Sequence, residues 1–268
     1  MGKTIYQPKG AANEYGQWAC NLYNGCSNKC DYCYNRHCPQ SITLGGDKPT
    51  LKKSLCLPDS DPLHAYKEEN ELNALHIFYK EFEQNKDEII RDGGLFFSFV
   101  SDPMLPETRS LSMDCADYAM DSECKVTMLT KCLYLDTWAT LRKDLLRPGW
   151  TLTGMDSMEH GDYDTGDRID NMRRLHELGC KTWASIEPVV DFDCALDAIV
   201  RSADCCDFYK IGLASKIGKQ YTQFEVIAFA EKVRELVKVP IYWKDSVRNH
   251  IDLAQYVLPN MVGADYQF

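Results

Sequence analysis

The sequence predicts an α/β protein built on a parallel sheet that closes, or nearly closes, into a barrel of the (β/α)6 type. Three observations support this fold class. Short β-rich runs alternate with helical patterns along most of the chain. Two helical patterns have clear end signals, and polar residues follow the predicted strands. Because strands that alternate with helices form βαβ units, such units can surround a barrel that binds ligands at the carboxyl ends of its strands.

Seven runs are predicted to be strands because each is short, rich in β-branched or aromatic residues, and bounded by turn-forming residues. They cover residues 18–23, 95–100, 125–130, 150–154, 182–186, 208–211 and 240–243. The stretch from residue 39 to about residue 86 is long for a single connection. We interpret it as an extended loop followed by the first barrel helix, in "PLHAYKEENELNALHIFYKEFEQN".

Two further helices are placed by their end signals. Asp167 is expected to cap a helix that stops at Gly179, since glycine tolerates the left-handed conformation. Thr222 and Glu225 form the pattern of a capping box ahead of the other helix. In both segments apolar residues recur at the spacing of one helix face: Ile169, Met172, Leu175 and Leu178, then Val226, Ala230, Val233 and Val237.

The composition is typical of a soluble globular protein, with 268 residues of which 44% are hydrophobic and 26% charged. We expect one domain over residues 1–268, with a barrel core from about 18 to 245 and short extensions at each end. The amino terminus lacks the apolar region of a signal peptide, and no window approaches ~18 apolar residues, which predicts a cytoplasmic protein without membrane association. The net charge of −10 argues against a generally basic, nucleic-acid-binding surface.

The chain has thirteen cysteines, an odd number, and a cytosolic protein keeps its thiols reduced. A disulfide framework is therefore not expected. Most of the scattered cysteines lie in apolar segments, where a free cysteine behaves as a small hydrophobic residue. We predict that six of them pack in the core: Cys115, Cys124, Cys180, Cys194, Cys205 and Cys206.

The candidate metal ligands lie in the stretch "CSNKCDYCYNRHC". Cys26, Cys30 and Cys33 form a C-x3-C-x2-C set, and Tyr32 directly precedes the third cysteine. Three closely spaced thiolates suit a 4Fe-4S cluster and leave its fourth iron open to a small ligand. A structural zinc site normally has two pairs of ligands, and this triplet has no distant C-x2-C partner. The alternative is a four-cysteine zinc site that includes Cys38.

The cysteine triplet resembles the signature of the radical S-adenosylmethionine (SAM) superfamily. The segments "NLYNGCSNKCDYCY", "SDP", "TK", "GMDSMEHGDYDTGDRIDNMRRLHELGCKTWASIEPVVD" and "PIYWKD" are similar to the spore photoproduct lyase-like clade, including members from phages and mobile elements. The resemblance implies a partial, laterally open radical SAM barrel with few appendages. It also implies a 4Fe-4S cluster that, once reduced by a flavodoxin- or ferredoxin-type donor, cleaves SAM to a 5′-deoxyadenosyl radical. That radical takes hydrogen from a substrate, here nucleic acid or a nucleotide.

The resemblance also implies which residues bind SAM. Tyr32 would lie near the adenine, and the ribose would be bound by Thr153 or Asp156. Three polar residues that follow the second and third predicted strands would contact the methionine part: Ser101, Asp102 and Lys131.

Two residues are candidates for the chemistry with the substrate. Glu187 follows the apolar run "TWASI", where an unpaired carboxylate is costly, so we expect it to meet SAM, the substrate, or Lys210 or Lys244 in an ion pair. Spore photoproduct lyase has a hydrogen-donating cysteine where this chain has Val100, which argues against thymine-dimer repair by that route. Cys132 is a replacement donor, or a core residue.

A different class of function stays open on the residues alone. The chain can be a non-catalytic zinc or iron–sulfur binding module for a macromolecular partner, with its polar rim residues serving structure or recognition. The two hypotheses differ in the metal they require, because only the enzyme needs iron with an open coordination position.

Overall fold

The computed structural model describes residues 4–58, 67–214, 218, 220–264, 266 and 268. These residues form two compact units. The first unit comprises Met1–Lys29 and Cys33–Leu129, and the second comprises Cys30–Tyr32 and Thr130–Phe268. The predicted α/β class is confirmed, since helices alternate with strands and most of the strand pairs are parallel. Within the described residues, no helix is both long enough and apolar enough to cross a membrane.

The first unit contains six strands in its described part, although β6 ends one residue beyond the unit. The strands are β1 (Ile5–Tyr6), β2 (Ala19–Cys20), β3 (Tyr23–Asn24), β4 (Thr50–Leu51), β5 (Leu95–Phe97) and β6 (Val126–Thr130). The helices are α1 (Ser41–Leu44), α2 (Lys67–Arg91) and α3 (Arg109–Asp121). Strands β1, β2, β5 and β6 lie in that order, and all neighbours except the β1–β2 pair are parallel. Strands β3 and β4 form a separate antiparallel pair.

Helix α2 packs on this sheet through residues spaced four, four and seven positions apart. Ala74, Phe78, Phe82 and Ile89 are fully buried, and the ring centroid of Phe78 lies 6.3 Å from that of Phe97 on β5. Burying each large apolar side chain contributes about 1.5–3 kcal/mol. The predicted helix is therefore confirmed from residue 67 onward, whereas its expected start at residues 62–66 lies outside the described residues.

The second unit carries four parallel strands in chain order within its described part. They are β7 (Leu146–Thr151), β8 (Trp183–Val189), β9 (Phe208–Leu213) and β10 (Ile241–Trp243). The helices are α4 (Asp136–Leu141), α5 (Thr165–Glu177), α6 (Phe192–Ser202), α7 (Gln223–Leu236) and α8 (Asp245–Arg248). Because the strands are parallel, the residues that follow them emerge at one edge of this sheet.

All seven predicted strands correspond to observed ones, with different ends. The first prediction merges two strands, β2 and β3, and β5 stops at Phe97. Strand β7 begins four residues earlier than predicted and β8 continues three residues further. Pro148 and Pro188 lie in these two extensions. Because proline cannot donate a hydrogen bond to a neighbouring strand, it argues against a strand in the sequence, and the predicted strands were therefore too short.

The cap of helix α5 was misplaced by the sequence prediction. Asp164, not Asp167, is the N-cap: its Oδ1 accepts from the backbone N–H of Asp167 at 2.9 Å. Asp167 occupies the third helical position, and its Oδ2 accepts from the backbone N–H of Asp164 at 3.1 Å. The two acidic residues thus form a capping box, and an aspartate replaces the glutamate that the usual pattern requires.

The other end signals are confirmed. Thr222 Oγ1 accepts from the N–H of Glu225 at 3.3 Å, and Glu225 Oε2 accepts from the N–H of Thr222 at 2.8 Å. Gly179 adopts a φ of +88° just after α5. Both signals are local, which explains why the sequence was sufficient to place them.

All thirteen cysteines are free thiols. Five of the six predicted core cysteines are buried: Cys115, Cys124, Cys180, Cys205 and Cys206. Cys194 is only half-buried, because it lies in the first turn of α6, where its N–H donates to the capping carboxylate of Asp191 at 3.0 Å. Burial raises the pKa of Cys124 to about 12 and that of Cys205 to about 12.

Asp164→Ala should lower the free energy of unfolding by about 1 kcal/mol, because it removes the side-chain oxygen that caps α5. Asp162→Ala, a change at an exposed loop position nearby, is the matched control and should shift stability by less than ~0.5 kcal/mol. Urea unfolding followed by circular dichroism measures both. An equal loss in the two variants would contradict the assigned cap.

Alkylation of the native protein by iodoacetamide should discriminate between its thiols. At pH 8 a thiol with a pKa near 12 is a thiolate in about one molecule in ten thousand, and the thiolate is the nucleophile. Cys124 and Cys205 should therefore react only after unfolding, whereas the half-buried Cys38 and Cys56 should react in the native state. Peptide mass spectrometry gives the order, and early labelling of Cys124 would contradict the assigned core.

Candidate cofactor site

The cysteine motif begins on a loop that the first unit holds by backbone hydrogen bonds. The N–H of Gly25 donates to the carbonyl of Leu44 at 3.2 Å, and the N–H of Cys26 donates to that of Gly46 at 2.9 Å. Gly25 has a φ of +78°, and a Cβ atom there would lie 2.4 Å from the carbonyl oxygen of Lys48. Only glycine fits this position, so the path of the chain into Cys26 is fixed by sterics.

Two buried polar residues link this loop to the turn after β5. Asn28, between the first two cysteines, donates from Nδ2 to Asp102 Oδ2 at 2.9 Å. The other oxygen of Asp102 accepts from the N–H of Met104 at 2.9 Å. Asp102, which was predicted to contact SAM, therefore also supports the motif loop, and its role toward SAM stays a prediction.

Ser101, in the first unit, has a buried hydroxyl group that no other described residue contacts by a hydrogen bond. The residue is 9% exposed, and its Oγ has no hydrogen-bond partner in the described part of the chain. A buried hydroxyl without a partner costs about 1–3 kcal/mol relative to a satisfied one. A ligand atom next to Ser101 would remove that cost, which suits the predicted contact with SAM.

The chain after the third cysteine returns to the same turn. Asn35 is buried and donates from Nδ2 to the carbonyl of Phe99 at 3.1 Å, which also accepts from the hydroxyl of Tyr34. The N–H of Phe99 donates to Asn21 Oδ1 at 2.8 Å. These bonds fix both ends of the motif within the first unit.

The middle of the motif belongs to the second unit, where Tyr32 is the central side chain. Tyr32 is buried, and its hydroxyl donates to a carboxylate oxygen of Glu159. The same oxygen accepts from Thr153 Oγ1 at 2.8 Å, and the other oxygen accepts from Arg168. Lys131 Nζ lies 5.4 Å from the centroid of the Tyr32 ring, a cation–π distance.

Arg168 makes the burial of Glu159 possible. The side chains are 1% and 3% exposed, respectively. Arg168 also donates from Nη1 to the carbonyl of Thr151 at 2.8 Å and from Nη2 to that of Tyr163 at 3.0 Å. Burial alone would raise the pKa of Glu159, but the positive charges of Lys131 and Arg168 outweigh it and hold that pKa below its ordinary value. Glu159 is therefore a carboxylate at neutral pH.

The residues predicted to bind the ribose have different surroundings. Thr153 follows β7, is buried, and donates to Glu159 as described; its Oγ1 also accepts from the N–H of Met155 at 3.1 Å. Asp156 Oδ1 accepts from the N–H of Thr165 at 2.8 Å and from its Oγ1 at 2.6 Å. Asp156 thus stabilises the start of α5, and its contact with SAM stays a prediction.

Glu187 lies on β8 and forms an ion pair with Lys244, one of the two lysines proposed from the sequence. Lys244 Nζ lies 2.9 Å from Oε1 and 2.7 Å from Oε2 of the carboxylate. The lysine side chain is 4% exposed and the glutamate side chain 25%. A Cβ at Gly212 would lie 2.9 Å from both Glu187 Oε1 and Lys244 Cδ, so the pair occupies the space above a glycine.

Cys132, the candidate hydrogen donor, is buried in the second unit. Its N–H donates to Thr130 Oγ1 at 2.8 Å. The structure thus brings together Tyr32, Lys131 and Thr153 in the second unit, and Ser101 with Asp102 in the first.

Comparison with solved structures identifies the fold. No protein-family profile and no curated protein matches the chain. A mutant of spore photoproduct lyase with bound AdoMet and dinucleoside spore photoproduct is 13% identical to this chain, with a TM-score of 0.54. The match covers 86% of this chain and 64% of that one. The chain has the fold of spore photoproduct lyase.

Other structures match as well. A cysteine-to-serine mutant of spore photoproduct lyase is 12% identical, with a TM-score of 0.55, and the match covers 78% of this chain and 60% of the lyase. SuiB of Streptococcus suis bound to the precursor peptide SuiA is 13% identical, with a TM-score of 0.47, over 63% of this chain and 42% of SuiB. The chain spans less than two thirds of the length of each of these structures.

The three cysteines of the motif are the donor set that the sequence analysis predicted for a 4Fe-4S cluster. Cys30 is buried, Cys26 and Cys33 are half-buried, and all three are free thiols outside helices and strands. Among the described residues, no group of three or more His, Cys, Asp or Glu side chains is arranged to hold a metal ion. Since metal binding is coupled to the final arrangement of its ligands, the three cysteines stay the predicted ligands on their chemistry.

Three residues of the site were missed by sequence reasoning. The bonds of Asn28 to Asp102 and of Glu159 to Tyr32 join residues that are distant in sequence, so no local pattern predicts them. Arg168 does have one: it precedes Met172 and Leu175 at the spacing of the buried face of α5. A charged residue on an apolar helix face requires a buried partner, and that pattern could have drawn attention to Arg168.

Lys244→Met should lower the free energy of unfolding by about 1–3 kcal/mol, because it removes the ammonium that both oxygens of Glu187 contact. Adding Glu187→Gln to this variant should recover part of the loss, since the remaining carboxylate charge is then gone. Lys238→Met, at an exposed position on the same unit, is the control. If the effects of Lys244→Met and Glu187→Gln on the free energy of unfolding in urea are additive, the two side chains are not energetically coupled.

Proposed function

We propose that this chain is a radical SAM enzyme whose 4Fe-4S cluster is held by Cys26, Cys30 and Cys33. The observation that carries the proposal is a C-x3-C-x2-C set of free thiols on a chain with the spore photoproduct lyase fold. When bound, the reduced cluster supplies the electron that cleaves SAM to methionine and a 5′-deoxyadenosyl radical, which removes hydrogen from a substrate. An external flavodoxin- or ferredoxin-type protein would supply that electron.

The chain's own residues would bind and orient SAM. Ser101 Oγ, buried and unpartnered, is suited to bind a polar atom of the methionine part. Lys131 brings a positive charge beside the Tyr32 ring, where it can pair with the carboxylate of SAM. Thr153 lies next to Tyr32 through their shared contact with Glu159, which is consistent with adjoining contacts to ribose and adenine.

Roles toward the substrate are proposed for two residues. Glu187 is partly exposed while Lys244 is buried behind it, so the carboxylate is the group that can accept a hydrogen bond from a ligand. Cys132 is the candidate hydrogen donor. Since one matched lyase structure contains a dinucleoside spore photoproduct, nucleic acid or a nucleotide is the proposed substrate class. Val100 replaces the donor cysteine of that lyase, so we propose a reaction other than dimer repair.

Anaerobic reconstitution with iron and sulfide should give a brown protein with about four irons per chain. Mixed with dithionite and SAM, it should release 5′-deoxyadenosine slowly even without substrate. Cys30→Ala should abolish both properties because a cluster ligand is lost. Cys38→Ala, at the cysteine outside the triplet, should retain both.

The same experiment also tests the non-catalytic alternative. A colourless protein that binds only zinc, and loses it in Cys38→Ala, would overturn the proposal and favour a four-cysteine zinc module. Release of 5′-deoxyadenosine by Cys30→Ala would contradict the assigned ligands. Iron by elemental analysis and 5′-deoxyadenosine by chromatography are the two measurements.

A further inference from the structure

We infer that Glu159 is a positioning residue that fixes the Tyr32 ring for SAM, an inference that rests on the proposed function. The segment just after β7 bonds to the two residues between the second and third cysteines of the motif. The carbonyl of Met158 accepts from the N–H of Asp31 at 2.9 Å, and Glu159 accepts from the hydroxyl of Tyr32. Backbone and side chain of this part of the motif are thus both held by consecutive residues.

The hydrogen bond between Tyr32 and Glu159 is strong because it is buried and its acceptor is charged. Both side chains are buried, and a hydrogen bond to a carboxylate is about twice as strong as one between neutral groups. Asp31 Oδ1 and His160 Nε2 form a neighbouring pair at 3.0 Å, but these side chains are 55% and 48% exposed, respectively. Water screens that pair, so Glu159 provides most of the fixation.

Glu159 is itself immobilised by helix α5. Arg168, in the first turn of that helix, donates to the carboxylate and to the carbonyl oxygens of Thr151 and Tyr163. With one oxygen taken by Arg168 and the other by Thr153 and Tyr32, the carboxylate has a single orientation. A continuous chain of buried contacts therefore runs from α5 through Arg168 and Glu159 to the ring beside the cysteines.

The consequence for the ligand is preorganisation. A tyrosine ring that is already fixed loses no rotamer freedom when SAM binds, whereas a free ring does. The loss for one such side chain corresponds to an affinity change of about three- to tenfold. Glu159 would contribute this factor through Tyr32, since its two carboxylate oxygens already accept from Tyr32, Thr153 and Arg168.

The test measures SAM affinity of the anaerobically reconstituted full-length protein. Tyr32→Phe removes only the hydroxyl. Glu159→Gln keeps the shape of the side chain but replaces one acceptor oxygen by an –NH2 group. The remaining oxygen cannot accept from both Arg168 and the hydroxyl of Tyr32, so one of these two contacts is lost. Each change should raise the Kd for SAM about three- to tenfold with the iron content retained. Glu177→Gln, the same change at the exposed end of α5, is the control and should leave the Kd unchanged.

The double variant separates positioning from a general loss of stability. If Glu159 acts through the Tyr32 hydroxyl, Tyr32→Phe with Glu159→Gln should bind SAM no more weakly than the weaker single variant. Hydrogen–deuterium exchange of peptides covering residues 26–35 should increase in both single variants, since the segment is then less restrained. If Glu159→Gln does not fold, Tyr32→Phe alone decides through the same two measurements.

The outcomes are distinct. Unchanged SAM affinity and exchange in Tyr32→Phe, or fully additive effects in the double variant, would overturn the role of Glu159 while the wild type still binds SAM. A wild-type protein with four irons that binds no SAM would overturn the proposed function, and the role of Glu159 with it.

Discussion

The buried carboxylate of Glu159 is the constraint on which the second unit's part of the site depends. A carboxylate excluded from water is tolerated only when charge and hydrogen bonds replace its hydration. Arg168 supplies the charge, and Tyr32 and Thr153 supply hydroxyl donors. Tyr32 is therefore joined to one later segment of the chain, residues 153–168, which supplies the carboxylate and its other partners.

The first unit holds its part of the motif by a different principle. Its contacts to the loop are backbone bonds at Gly25 and Cys26 and amide bonds from Asn28 and Asn35. Apart from the carboxylate of Asp102, these groups are neutral. They fix the course of the backbone and add no charge to the loop. The cysteines thus lie on a backbone whose course is fixed, while Tyr32 is set by the ionic cluster.

Sequence alone was sufficient for the α/β class, all seven barrel strands and the capping box at Thr222, because these signals are periodic or local. It placed the cap of α5 three residues late, since Asp164 and Asp167 are equally good caps and only the helix geometry selects between them. The sequence predicted Lys210 or Lys244 as the ion-pair partner of Glu187, and in the structure the partner is Lys244. The bond between Tyr32 and Glu159 and the bond between Asn28 and Asp102 could not be predicted, because they join residues 127 and 74 positions apart.

If Ser101 binds a ligand as proposed, its buried hydroxyl would couple ligand binding to the stability of the fold. A chain that keeps a buried polar atom unsatisfied is less stable than the same chain with that atom bonded. Any ligand that completes the bond therefore raises the melting temperature in proportion to the logarithm of its concentration above Kd. A shift in melting temperature would therefore identify small molecules that form a hydrogen bond with the Ser101 hydroxyl.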